Sequence, residues 1–261
     1  MQLNHHRSGT GEPLVLIHGI GSRWQVWKPV IELLEPQREI VAIDLPGFGA
    51  SALPPPGTPP GVPSLTRLVS EFLEELGLER PHVAGNSLGG WIALELAKQA
   101  HARSATALSP AGFQNTAEAV YQQASLWLSA RGARLLAPRA ERLLASARMR
   151  RVAFGQFVAK PERLPPADAP GTLRALAGAA WFDATLPAIN ADRFTGGERI
   201  TVPVTIAWAE HDRLLLPRQA RRAQLAIPRA RVIKLRGCGH VPTYDDPEQV
   251  AQVLLDGSSA G

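Results

Sequence analysis

The chain is poor in several of the residues that announce a structural device. Its 261 residues include one cysteine, Cys238, two methionines and two tyrosines. A single thiol cannot close an intramolecular disulfide, so no staple is available and the redox compartment stays open. Seven histidines are present, but the His5-His6 pair has no helix-spaced His/Glu cluster beside it, so no metal site and no cofactor is expected. No apolar run approaches the ~20 residues a membrane span needs, and no basic stretch followed by an apolar core opens the chain. A protein free of membranes, in the cytoplasm, is the expectation. Lysine is scarce too: Lys28, Lys98, Lys160 and Lys234 are the whole set, and arginine supplies the rest of a formal charge of +5. That excess shows no aromatic-interleaved basic patch, so nucleic acid is not an expected partner. Oligomeric state is left open.

What the chain does have is 45% hydrophobic residues, enough for one full core, and a set of short motifs at strand ends. Gly85-Asn86-Ser87-Leu88-Gly89 follows the apolar Val83-Ala84 and precedes a helix-like run from Gly90 to Gln99. A serine between two glycines at a strand-to-helix turn reads as a nucleophile elbow. The backbone there is strained, and side chains two residues either side would collide, which is the use of glycine at both places. The hydroxyl would stand over a helix N-terminus, where free N–H groups favour a developing anion. Serine is a weak nucleophile at neutral pH and needs a base, and the base needs an orienting acid. Val204–Trp208 reads as a buried parallel strand and is followed by Glu210-His211-Asp212; Arg231–Leu235 is followed by Gly237-Cys238-Gly239-His240. Acids and histidine thus fall just past the carboxyl ends of strands, where open α/β sheets place their sites. Leu14–Ile17 is a further buried strand, running into His18-Gly19-Ile20.

These segments, in this order, resemble the α/β-hydrolase superfamily, in its lidded esterase and carbon–carbon bond hydrolase branch, from about Gly11 to Leu255. The resemblance implies a mostly parallel twisted sheet of about seven strands flanked by helices, one fewer than the usual eight, with an inserted helical lid. It assigns Ser87 as nucleophile, His240 as base and Asp212 as the acid, in preference to Glu210, which lies nearer its strand end. Ser109-Pro110 occupies the alternative acid position, so no carboxylate competes there. The His-Gly turn matches the oxyanion loop, with the backbone N–H groups of Ile20 and Leu88 as donors; His18 and Asp44, the latter in Asp44-Leu45-Pro46-Gly47-Phe48-Gly49, are read as scaffold. The core would run over residues 1–110 and 200–261, with the lid over 111–199.

Leu53 to Pro63 carries six prolines and reads as an extended loop, after which Ser64 would cap a helix ending at Gly77. Within the lid segment, Ala117–Leu128, Ala140–Phe157 and Leu173–Trp181 look helical. Trp127, Phe154, Phe157, Trp181 and Phe182 either line a substrate pocket or hold lid helices together. Trp24 and Trp27, beside the oxyanion loop, and Val241, after the histidine, are further substrate-contact candidates. The arginines from Arg131 to Arg151 form either a solvated face or, through one member, a partner for an acidic substrate group. Cys238 reads as a small packed residue. The expected activity is hydrolysis of a small-molecule carboxylic ester through an acyl-enzyme. The alternative is cleavage of a carbon–carbon bond in a vinylogous diketone acid, favoured by Asn86 and disfavoured by Val241-Pro242, where that branch carries tryptophan. A slow-turnover ligand sensor and a cofactor-free haloperoxidase or perhydrolase are the remaining readings; dehalogenases and epoxide hydrolases need aspartate where Ser87 stands.

Overall fold

The computed structural model describes residues 1–259; the last two residues of the expected second core segment lie outside the described residues. Seven strands form one sheet in the order β1-β3-β2-β4-β5-β6-β7. They are β1 (His5–Gly9), β2 (Glu12–Ile17), β3 (Arg38–Ile43), β4 (His82–Asn86), β5 (Ser104–Leu108), β6 (Val204–Ala209) and β7 (Arg231–Leu235). Only β1, at one edge, is antiparallel to its neighbour; the other pairings are parallel. Both faces of the central strands are covered, which is why they read as continuous apolar runs. Alternate residues of β2 feed two cores. Val15 and Ile17 join Leu65, Val69, Phe72 and Trp91 on one face, whereas Leu14 and Leu16 join Val30, Leu34, Val250 and Leu254 on the other. The first face is covered by α2 (Val62–Glu75) and α3 (Leu88–Lys98), the second by α1 (Lys28–Leu34) and α10 (Pro247–Gly257).

From β2 the chain steps to β3 on one side and later to β4 on the other. The crevice between the carboxyl ends of β2 and β4 is therefore the topological switch point, where ligands bind in sheets of this kind. His18-Gly19 and Ser87 occupy those two ends.

Local starts and stops differ from the sequence expectation in instructive ways. Helix α2 begins at Val62, capped by Gly61 at φ 133°, with Pro63 in its first turn; Ser64 is not the cap. Proline is tolerated there because a first-turn N–H has no intrahelical partner. Between β5 and β6 the chain forms α4 (Thr116–Leu136), α5 (Ala140–Leu144), α6 (Ala147–Phe154), α7 (Ala169–Ala177) and α8 (Phe182–Ala191), with α9 (Gln219–Ala226) following β6. Helix α4 starts at an Asn115/Glu118 capping box and runs two turns past Leu128, because Ala130 and Ala133 keep its buried face going. The single helix expected over 140–157 is broken: Arg150 turns back and donates to the carbonyls of Leu144 at 2.8 Å and Ala145 at 2.9 Å, ending α5. Helix α7 starts four residues before the expected 173–181 span and stops at Ala177, and Phe182 opens α8.

Candidate active site

Ser87 stands alone between β4 and α3, at φ 58° and ψ −117°. A non-glycine residue in that region costs about 1–3 kcal/mol. The cost is offset locally: Ser87 N–H donates to the Leu108 carbonyl at 3.0 Å, and its own carbonyl accepts from Trp91 at 3.1 Å and Ala111 at 3.0 Å. The flanking glycines are required by space. A Cβ at Gly85 would overlap the Gly89 carbonyl, and one at Gly89 would overlap the carbonyl oxygen of Ile17. Close approach of α3 to β2 and β4 is thus what holds the serine in its turn.

Asp212 follows β6 in a tight turn. Its Oδ1 accepts from the N–H groups of Leu214 at 2.9 Å and Leu215 at 2.8 Å, while Oδ2 lies 2.7 Å from His240 Nδ1. An ionised carboxylate can only accept, so Nδ1 carries the proton and Nε2 of the neutral ring keeps a lone pair. Both side chains are buried. Glu210 faces elsewhere: it accepts from Gly237 N–H at 2.9 Å and lies 3.7 Å from Lys234 Nζ. Asn86 links the histidine to the elbow, its amide donating to the carbonyls of His240 at 2.8 Å and Leu108 at 3.1 Å. Among the described residues, no hydrogen bond within 3.5 Å joins Ser87 Oγ to the His240 ring; such contacts are often long without substrate and tighten in the complex.

The loop after β2 is pinned from below. Leu45 N–H donates to His18 Nε2 at 3.0 Å, which obliges Nδ1 to donate to the Gly19 carbonyl at 2.7 Å. Burial pushes the pKa of His18 down and keeps the ring neutral in that role. Asp44 accepts from Trp24 N–H at 2.6 Å, Ala50 N–H at 2.8 Å and the Asn4 amide at 2.7 Å, tying the same loop to β3. Gly19 lies against the serine: a Cβ there would stand 3.7 Å from Ser87 Oγ. Among the described residues, the N–H groups of Ile20 and Leu88 donate to no protein acceptor.

An apolar cavity of about 440 Å³ lies between the core loops and helices α4, α6 and α7. Ile20 and Val241 form part of its wall, next in sequence to Gly19 and His240; Phe154 and Phe157 line it from the insert. The four tryptophans proposed for substrate contact lie elsewhere. Trp27 is wholly buried in the core under α1. Trp24 stacks on His6 at 4.6 Å. Trp127 is half exposed on the outer side of α4, under the Arg131 guanidinium at 4.8 Å. Trp181 packs against Gly47, donating its backbone N–H to the Gly47 carbonyl at 3.3 Å. Each is reasonable by its place in the chain, but helix phase, which no local pattern settles here, decides which way a ring points. The arginines from Arg131 to Arg151 also miss the cavity: Arg150 is buried on carbonyls and the others are exposed.

Residues 14–253 match the profile of the Alpha/beta hydrolase family. The chain belongs to that family. It is 28% identical over 254 residues to the dihydrolipoyllysine-residue acetyltransferase component of the acetoin cleaving system of Cupriavidus necator, with 92% of this chain and 62% of that protein's length in the match. It is 31% identical over 198 residues to an epoxide hydrolase of Mycobacterium tuberculosis, covering 71% of this chain and 89% of that one. The enol-lactonase from Burkholderia xenovorans LB400 superposes with a TM-score of 0.76 at 21% identity, over 98% of this chain and 96% of that chain.

Sequence reasoning missed one important residue of this α/β-hydrolase. Asp245, fully buried, accepts from the N–H groups of Gly239 at 2.7 Å, Ala159 at 2.9 Å and Lys160 at 2.6 Å. Val241 N–H donates in turn to the Phe157 carbonyl at 2.7 Å. The backbone on both sides of His240 is therefore fastened to the inserted segment that walls the cavity. Only its place in an acidic pair, Asp245-Asp246, before the last helix could have hinted at this. Cys238 is a buried free thiol, pushed up to about 12 by that burial. Among the described residues, no helix is long and apolar enough to cross a membrane, and no cluster of three or more candidate metal ligands occurs.

Proposed function

We propose that this α/β-hydrolase cleaves a small-molecule carboxylic ester through an acyl-serine intermediate, with the helical insert over residues 111–199 acting as its lid. The observation that carries the reading is the Asp212–His240 hydrogen bond of 2.7 Å at the same strand ends as a strained, glycine-flanked serine. In the first step Ser87 Oγ attacks the ester carbonyl and His240 Nε2 takes its proton. The carbonyl oxygen becomes an oxyanion held by the Ile20 and Leu88 N–H groups, each worth about 3–4 kcal/mol in such a role. Collapse expels the alcohol, which takes the proton from His240. Water then repeats the sequence on the acyl-serine and releases the acid. Asp212 holds the imidazole tautomer and stabilises the imidazolium.

A second reading, carbon–carbon bond cleavage in a vinylogous diketone acid, is favoured by Asn86 ahead of the nucleophile. Its substrate carries a carboxylate, and no arginine lines the cavity to receive one. Epoxide opening, the activity named for one relative, needs a carboxylate nucleophile where this chain has Ser87. Hydrolysis of p-nitrophenyl esters by the wild type and by Ser87→Ala, run beside a meta-cleavage product, tests the proposal. The variant should fall to the residual ~10³–10⁴-fold acceleration that the oxyanion donors and binding supply. Retention of most activity, or turnover of the diketone acid alone, refutes it.

A further inference from the structure

We infer that the ester carries a neutral, unbranched hydrocarbon chain of up to about a dozen carbons, lying along α4 in the cavity; the inference rests on the ester reading above. Three observations carry it. The first is charge. No acidic or basic side chain lines the cavity. Three of its polar members bond to one another, Gln156 donating to Ser125 Oγ and Ser129 donating to Gln156 Oε1 at 3.3 Å, and Thr172 donates to the Asp168 carbonyl at 3.2 Å. The Tyr244 phenol is held neutral, burial pushing it up to about 12. A carboxylate or ammonium on the substrate would lose its water there and meet no charged side chain in the wall itself.

The second is shape. Lining residues on α4 run from Ser125 to Leu136, eleven steps of ~1.5 Å, or about 16 Å. Spread along that row, 440 Å³ describes an elongated apolar slot that an extended alkyl chain can follow. A zigzag of ~1.5 Å bonds advances about 1.25 Å per carbon, which sets the dozen-carbon limit. The third is access. Leu128 and Val152 line the cavity yet are 61% and 73% exposed, so it opens to solvent between α4 and α6. Chains beyond the limit protrude there and gain nothing further.

The test is kcat/KM for p-nitrophenyl esters from acetate to tetradecanoate, with a parallel series of n-alkyl acetates that asks whether the chain is on the acyl or the alcohol side. One series should climb about three- to four-fold per methylene over the first several carbons and level near dodecyl. The half-ester p-nitrophenyl hydrogen adipate should run at least ~10-fold below the hexanoate, because its far end is charged. Gly132 lines the cavity, and a Cβ added to it would meet no atom within 4 Å. Gly132→Phe should cut the octanoate-to-acetate ratio by ~10-fold or more, whereas Gly132→Ala, which adds one methyl and favours the helix, should hold it within about two-fold. Two flat series, or preference for the acid half-ester, overturn the inference whether or not the Phe variant folds. If Ser87→Ala is dead while both series stay flat, the chain-binding inference alone falls; if Ser87→Ala remains active, the ester mechanism beneath it falls.

Discussion

Replacing Asp245 by asparagine should damage both stability and turnover, and the hydrogen bonds set the scale. The carboxylate serves three backbone donors at 2.6–2.9 Å with no solvent contact. Asparagine keeps one acceptor oxygen. Turned so that this oxygen faces Gly239 and Ala159, its NH₂ confronts Lys160 N–H, leaving one buried donor unpaired and the other two bonds without charge assistance. An unsatisfied buried donor costs about 1–3 kcal/mol, and a bond to a charged acceptor is worth about 1.5–3 kcal/mol against roughly 1 for a neutral one. A net loss of about 2–4 kcal/mol follows, or about 4–7 °C in Tm for a chain of this length. The loosened segment includes Gly239, adjacent to His240, and a misplacement of the base by ~1 Å can cost on the order of 100-fold in rate. Thermal melts give the first number. Steady-state kinetics on a neutral ester well below the Tm give the second, with kcat expected to fall at least ~10-fold. If Tm drops while kcat of the folded enzyme is unchanged, Asp245 is only a tie; if neither moves, the account of the loop is wrong.

Further expectations concern the elbow, pH and the thiol. Gly89→Ala drives a methyl into the backbone oxygens of Ile17 and His18, so melts should show about 3 kcal/mol or more of destabilisation; an unchanged Tm would mean that α3 can shift away freely. His18 and His82 are both held below the ordinary imidazole range, chiefly by burial. A depressed value in the folded state means that the unfolded chain takes up these protons first. Stability is thus whole above about pH 6.5 and declines, by up to ~1.4 kcal/mol per pH unit and group, as pH falls from there toward the folded values. Melts between pH 8 and 5 should trace that decline, and a flat profile would contradict it. Native Cys238 should resist iodoacetamide at pH 8 and react once urea unfolds the chain, since its thiol titrates only near 12; rapid native labelling would refute the burial argument.

Much of the site is legible in the sequence because its parts are local. An apolar run followed by Gly-x-Ser-x-Gly and a helix-like stretch reads as a strand, a sharp turn and a helix, and the structure has β4, Ser87 and α3 at those positions. Likewise Asp212 and His240 each follow a strand by a few residues, so their arrival at one rim of the sheet is set by strand direction. The insert is less readable. Its helices lack the covering sheet that gives the core its strong periodicity, so the sequence pattern leaves α4 two turns too short and gives no sign of α8.

The sequence by itself therefore determined the class of fold and the turn at Ser87, and it put Asp212, His240 and the His18-Gly19 loop just past strand ends, since strand and turn signals are local. Only the tertiary structure decided which side chains wall the cavity, that none of them is charged, and that Asp245 binds the histidine loop to the insert. Those facts arise from packing between segments far apart in sequence, such as Ala159 and Asp245, and no local pattern encodes the rotation of one helix against another.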